Sequence, residues 1–105
     1  MTQWLYRLDP VRPEMVADAT DEERAIVAEH LDYLRRLAGA GVVLLAGRTT
    51  GEPVSDVHGV VVLDADDEAA AHAVMAADPA VVHGVMRATL HPFRLAVTRE
   101  GWGLE

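Results

Sequence analysis

Residues 20–40, TDEERAIVAEHLDYLRRLAGA, read as a single amphipathic helix, and the rest of the chain arranges itself around that reading. Thr20 and Glu23 stand at the spacing of a capping box, while Asp21 and Glu22 add negative charge to a first turn whose dipole favours it. At about 100° per residue, Val27, Leu31, Leu34, Leu37 and Ala38 gather on one side, and His30 falls between Leu34 and Leu37 on that same side. Glu29, Asp32, Arg35 and Arg36 lie off the stripe, with Asp32 and Arg36 at the i, i+4 spacing of a weak surface pair. Gly39 and Gly41 end the helix. A histidine set into an apolar stripe raises a chemical question that the stripe alone does not.

Before the helix, Gln3 to Leu8 alternates, with Trp4, Tyr6 and Leu8 on one face and Gln3, Leu5 and Arg7 on the other, the pattern of a half-buried strand. Pro10 and Pro13 break it, and Asp9 to Ala19 forms a polar connection. After the helix, Gly41 opens Val42 to Ala46, a continuous apolar run resembling a strand covered on both faces, which stops at Gly47. Arg48 to Asp56 holds Thr49, Thr50, Gly51, Pro53 and Ser55, loop chemistry long enough to cover a pocket. Val57 to Leu63 makes a third strand, in which Gly59 marks a bulge or a close backbone approach.

Asp64, Asp66, Asp67 and Glu68 crowd the start of a second helix, and Ala69 to Ala77 continues it with Val74 inward. Asp78 and Pro79 close that helix and start a short turn, with Asp as N-cap and Pro in the first helical position. Val85 to Val97 is the last strand. Its inward set runs Met86, Ala88, Leu90 and then Phe93, Leu95, Val97, and the change from even to odd implies a bulge near His91 and Pro92. The tail, Thr98 to Glu105, is polar except for Trp102 and Leu104.

The order strand, helix, strand, strand, helix, strand is the ferredoxin-like split arrangement of an α+β fold, and 105 residues make a single domain over 1–105. Both helices on one face of four strands leave the other face uncovered, so a homodimer joined through its sheet faces is expected.

Half of the residues are hydrophobic, which excludes disorder, and the formal charge of −8 argues against nucleic acid and against anionic membranes as partners. The absence of cysteine excludes disulfides, thiolate metal sites and a cysteine nucleophile. Met1 to Pro10 lacks the apolar core of a signal peptide and no later run is long enough to span a bilayer, so a cytoplasmic location is the default.

His30 reads either as a core histidine satisfied by backbone and water or as a proton-transfer group. The second role needs a polar partner on one ring nitrogen that leaves the other free near neutral pH. Asp78 is the best candidate, because the two helices of a split arrangement lie side by side and the end of the second reaches the middle of the first. Asp78 as an N-cap is an equal reading, and a carboxylate with two oxygens can serve both. Arg48, at the mouth of the second strand, is either a solvated loop arginine or a bidentate anchor for a carboxylate or phenolate, and Thr49 and Ser55 can add hydrogen bonds to a substrate. Trp4 and Tyr6 read as packing. His58, His72, His83 and His91 show no metal-ligand spacing, the acidic run at residues 64–68 lacks a calcium-loop pattern, and no dinucleotide fingerprint is present, so neither metal nor cofactor is expected.

Trp4-Leu5-Tyr6, Arg12-Pro13-Glu14-Met15, His30 with Tyr33-Leu34 and Leu37, the Ala40-Gly41 step, Leu45-Ala46-Gly47, Asp78-Pro79, Gly84-Val85 and Pro92-Phe93, in that order, resemble the YciI-like (YCII-related) family across nearly the whole chain. The resemblance implies a dimeric α/β-barrel fold akin to muconolactone isomerase and a histidine–aspartate centre at His30 and Asp78. A related dehydrochlorinase acting on a chlorinated hydroxyquinol implies proton transfer on small ring compounds. One departure stands out: many members have Ala-Gly-Pro after the second strand, where this chain has Ala46-Gly47-Arg48. Two functions from different classes follow. One is a cofactor-free lyase or isomerase acting on a hydroxylated or carboxylated ring. The other is a non-catalytic ligand-binding or dimeric assembly module of the same fold.

Overall fold

The computed structural model describes residues 2–100, so Trp102 and Leu104 lie outside the described residues. Strands β1 (Thr2–Pro10), β2 (Val43–Arg48), β3 (Gly59–Ala65) and β4 (Met86–Phe93) alternate with helices α1 (Asp21–Gly39), α2 (Glu68–Ala76) and α3 (Pro79–Val82). The four strands form one antiparallel sheet in the order β2-β3-β1-β4. This is the ferredoxin-like arrangement expected from the element order.

The alternation in β1 decides which face is covered. Trp4, Tyr6 and Leu8 are buried, and their cross-strand partners Leu63, Val61 and Gly59 project from the same face. Leu34 of α1 and Ala71 and Met75 of α2 complete that core, so the helices share one side of the sheet. Burying aliphatic and aromatic side chains between a sheet and its helices is the main driving force for this layer. The indole N–H of Trp4 donates to the Ala65 carbonyl at 3.2 Å, which satisfies the one polar atom it brings inside.

Helix α1 begins as its sequence dictates. The Thr20 hydroxyl accepts from the Glu23 N–H at 3.1 Å, and the Glu23 carboxylate accepts from the Thr20 N–H at 2.8 Å. The same carboxylate takes a two-point contact from the Arg12 guanidinium, at 2.7 and 3.0 Å, which ties the connection after β1 to the helix start. The buried stripe differs from the expected one. It runs Ile26, His30, Leu34, while Ala38 is exposed and Leu31 remains 42% exposed. Leu31 borders a cavity rather than solid core, and periodicity cannot distinguish the two. Asp32 meets Arg35 at 3.4 Å instead of Arg36, whose guanidinium lies 5.8 Å from the Tyr33 ring centroid.

Two features of the strands also depart from the sequence pattern. The second strand is an edge strand, with only Val43 buried, so it is not covered on both faces. Its unbroken apolar run reflects a register shift between Val43 and Leu45, which disturbs the usual alternation. The bulge expected at His91 and Pro92 is absent, for β4 pairs with β1 in continuous register from Met86 to Phe93. Pro92 is tolerated because β4 is the opposite edge of the sheet. The strand simply ends at Phe93, leaving Leu95 half-buried and Val97 exposed.

Asp67 caps α2 by accepting from the Ala70 N–H at 2.8 Å. Asp64 belongs instead to β3, where it accepts from the Gln3 side-chain amide at 2.9 Å. Among the described residues, no helix is long and apolar enough to cross a membrane.

Candidate active site

The sheet and helices bring one polar constellation into the core. Asp78 caps the four-residue helix α3, its Oδ1 accepting from the Ala80 N–H at 3.0 Å. Because α3 packs against the middle of α1, the same oxygen lies 2.7 Å from Nδ1 of His30. Its second oxygen accepts from the Tyr6 hydroxyl at 2.8 Å. Cap and histidine partner therefore coexist on one carboxylate. Asp78 is fully buried and His30 is 7% exposed, and these are the only buried polar or charged residues apart from the aromatic core among those described.

An ionised Asp78 has only acceptors to offer, already taking the Tyr6 O–H and the Ala80 N–H, so the His30 nitrogen facing it carries a proton. In the neutral ring this makes Nδ1 the N–H and leaves the lone pair on Nε2. His30 forms part of a cavity wall, and no fully buried side-chain nitrogen or oxygen among the described residues lacks a partner. Burial, reinforced by the neighbouring Asp78 charge, drives the Tyr6 phenol well above its ordinary pKa, so it stays a donor. Burial raises Tyr33 as well, and its hydroxyl donates to the Val74 carbonyl at 2.7 Å.

The cavity has a volume of about 480 Å³ and lies between α1 and the covered face of the sheet. Its floor includes Leu8, Gly59 and Val61, and Val27, Leu31 and Leu34 form the helical wall. Gly59 matters here by what it lacks. A Cβ built on it would lie 3.4 Å from the Leu8 Cβ and 3.6 Å from the Gly47 carbonyl oxygen, ordinary contacts that leave room for a side chain, so the floor is open because Gly59 has none. Gly59 thus marks neither a bulge nor an unusually close approach, and the register shift lies in β2 instead.

Of the residues expected to bind substrate, Arg48 lines the cavity. Thr49 does not; its N–H donates to the His58 carbonyl at 2.9 Å and its hydroxyl accepts from the His58 N–H at 3.0 Å, closing the intervening loop. Ser55 sits exposed in a 3₁₀ turn at Val54–Asp56 and is not part of the cavity lining. His58 does line the cavity, with its Nδ1–H on the Asp56 carbonyl at 2.9 Å. Sequence reasoning treated Tyr6 as packing and missed its hydroxyl. The available signal was that a tyrosine on a buried strand face needs a partner for its O–H. Among the described residues, no three His, Asp or Glu side chains converge as a metal cluster.

The fold and this arrangement define the class: a ferredoxin-like α+β domain with a histidine–aspartate pair at the edge of a small-molecule-sized cavity. The chain matches the YCII-related domain over residues 8–94 and belongs to that family. A similar solved structure is 5-chloro-2-hydroxyhydroquinone dehydrochlorinase from Burkholderia phenoliruptrix, in complex with 2,5-dihydroxybenzoquinone. The two share 22% sequence identity with a TM-score of 0.64, over 91% of this chain and 96% of that one, a likeness that speaks for the fold. No curated protein sequence matches the chain.

Proposed function

We propose that this protein is a small-molecule enzyme of lyase or isomerase type, in which His30 moves a proton on a hydroxylated or carboxylated ring compound. The observation that carries the reading is the 2.7 Å contact between His30 Nδ1 and the buried Asp78 carboxylate, at the wall of a cavity. With Nδ1–H held by Asp78, Nε2 is the base. It takes a proton from a ring carbon beside a carbonyl group, and the C–H electron pair moves onto that oxygen as an enolate. His30 becomes an imidazolium next to a negative charge that is already in place. Arg48 or backbone N–H groups of the cavity wall stabilise the developing anion. Collapse of the enolate either returns the proton to a different carbon, an isomerisation, or expels a leaving group as its anion while the proton remains on His30, an elimination. Neither route requires a cofactor.

The protein works as a homodimer in this reading. The face of the sheet away from the helices carries half-buried Leu5 and Leu45 on either side of the buried Val62, with half-buried Val60 beside them, and a second copy would cover it. A cytoplasmic setting suits an enzyme of this kind.

The reaction is tested by screening ring compounds for thermal stabilisation, then following exchange of their carbon-bound protons in D₂O by NMR. Wild-type protein should catalyse exchange on a ligand from the screen, and His30→Ala should abolish it while leaving the fold and dimer intact. Ligands that bind without any exchange would make the protein a binding module. Loss of folding together with exchange would make His30 structural.

A further inference from the structure

We propose that the cavity selects carboxylates: its substrate enters as a monoanion whose two carboxylate oxygens meet the Arg48 guanidinium while its apolar ring lies against the α1 wall. The inference rests on the reading of this cavity as a substrate site and goes further by fixing the charge and chemical class of the guest.

Charge is distributed unevenly between the protein and its cavity. The chain has 17 acidic residues against 9 Lys and Arg, for a formal charge of −8. The cavity lining nevertheless contains Arg24 and Arg48 and not one Asp or Glu, the nearest carboxylate at its histidine wall being Asp78, which stands behind His30 and is engaged by three donors. A field of that overall sign repels anions from most of the surface, so a cleft that reverses it selects for them.

Within the lining, Arg48 is the cation available to a ligand. The Arg24 guanidinium is engaged by the Ala19 carbonyl and by Asp21. Arg7, Arg12 and Arg35 elsewhere are likewise held by carboxylates. The Arg48 side chain makes no hydrogen bond or ion pair with the described residues, and it sits exposed at the end of β2. Its backbone is nonetheless fixed. It pairs with Gly59 on the covered face of the sheet, and the Thr49–His58 hydrogen bonds clamp the next rung.

The remaining lining narrows the chemistry. It contains no Ser, Thr, Asn or Gln and is otherwise apolar, so it has no neutral hydrogen-bonding side chain for a polyhydroxylated sugar, and a single available guanidinium matches the one charge of a carboxylate rather than the two of a phosphate dianion. A planar guanidinium offers two parallel donors, which a carboxylate matches with two oxygens and a phenolate with one. The ligand class that satisfies these constraints is a compact carboxylic acid with a hydrocarbon ring, small enough for about 480 Å³.

The test measures affinities of the intact protein for benzoate, benzamide and benzylamine by calorimetry, in wild type, Arg48→Gln and Arg48→Lys. Benzoate should bind wild type tighter than benzamide by about 10- to 100-fold, the ratio that charge-assisted pairing supports. The ratio should fall to near unity in Arg48→Gln and recover in part in Arg48→Lys, which restores a point charge without the fork. Arg48 has no partner to lose, so both variants should melt with wild type. Equal binding of benzoate and benzamide, a preference for benzylamine, or a ratio indifferent to Arg48→Gln would overturn the proposal. Failure here and failure of the proton-transfer reading are distinct. Carboxylate selectivity without proton exchange would sink the chemistry alone, whereas exchange on neutral rings without anion preference would sink only the selectivity.

Discussion

Replacing Asp78 by Asn and by Ala separates what its charge does from what its shape does. The wild-type side chain is fully buried and accepts from His30 at 2.7 Å, Tyr6 at 2.8 Å and the Ala80 N–H at 3.0 Å. His30 and Ala80 share Oδ1, so an asparagine with its oxygen in that position keeps both donors. Its NH₂ then faces the Tyr6 hydroxyl, which can rotate and accept. The buried Tyr6 O–H is the one donor left without its acceptor, and its loss, with the turning of charge-assisted hydrogen bonds into neutral ones, costs about 1–3 kcal/mol for each effect. Alanine leaves all three donors unsatisfied, at about 1–3 kcal/mol each. Against a total stability on the order of 5–15 kcal/mol for a domain, Asp78→Asn should fold with a lowered melting temperature and Asp78→Ala should stand at the edge of unfolding. The imidazolium formed during proton transfer loses its counter-charge in both, so Asp78→Asn should retain ligand binding while exchange slows by about 10²- to 10⁴-fold. Urea unfolding and NMR-detected exchange on the same samples read both effects. Wild-type exchange rates in Asp78→Asn would refute the role of the charge, and equal destabilisation by Asn and Ala would refute the hydrogen-bond reasoning.

Both tyrosines of the chain have raised pKa values, Tyr6 through burial and then Asp78, Tyr33 through burial. A phenol raised in the folded state contributes stability that is fully present below about pH 10 and is lost as pH climbs beyond it. Tyrosinate absorbance should therefore appear together with loss of circular dichroism, and tyrosinate in a still-folded protein near that pH would count against it. Arg12, followed by the Thr20 N–H, lowers Glu23 to about 2, and the resulting stability is present above the ordinary glutamate value and lost as pH falls towards the folded one. Arg12→Gln should flatten the acid limb of a stability–pH curve, and an unchanged limb would remove the pair from the stability of the helix start. Gly59→Val adds a side chain whose Cβ meets only ordinary contacts on the way into the cavity. It should hold or raise the melting temperature, since a glycine within a strand costs about 0.5–1 kcal/mol, and should block binding of every cavity ligand. Undiminished binding would move the site away from β3.

Features with local causes were legible in the sequence. The capping box needs only Thr20 and Glu23, and both of its hydrogen bonds form. The alternation of Trp4, Tyr6 and Leu8 needs only one strand with one buried face. The approach of His30 to Asp78, 48 residues apart, followed from the element order, because a split arrangement sets the end of the second helix beside the first. What escaped depends on partners or on empty space. Tyr6 looks like packing until a carboxylate 72 residues away supplies its acceptor. Leu31 fits the apolar stripe whether it faces core or cavity, and only the fold decides between them. A bulge and a strand end both interrupt period-two alternation. Hence the break after Pro92 looked like a bulge, while the true register shift was hidden in the uniformly apolar run of β2.

The buried Tyr6–Asp78–His30 set is a poor device for stability alone. Removing a carboxylate from water is costly, its partners offset that cost only if the geometry is complete, and apolar side chains of similar volume often serve a core as well or better. This core consists of aliphatic and aromatic side chains almost throughout, so the polar set stands out against the composition around it. Its saturation is asymmetric. Each Asp78 oxygen is engaged, the Tyr6 hydroxyl is engaged and Nδ1 of His30 is engaged, while the ring that ends the relay borders an open cavity. The proton transfer proposed above needs a rigid, charged interior end and an outlet to a guest, and the arrangement supplies the geometry for both: Asp78 is held by three donors, and the His30 ring borders the cavity where α1 passes over its floor.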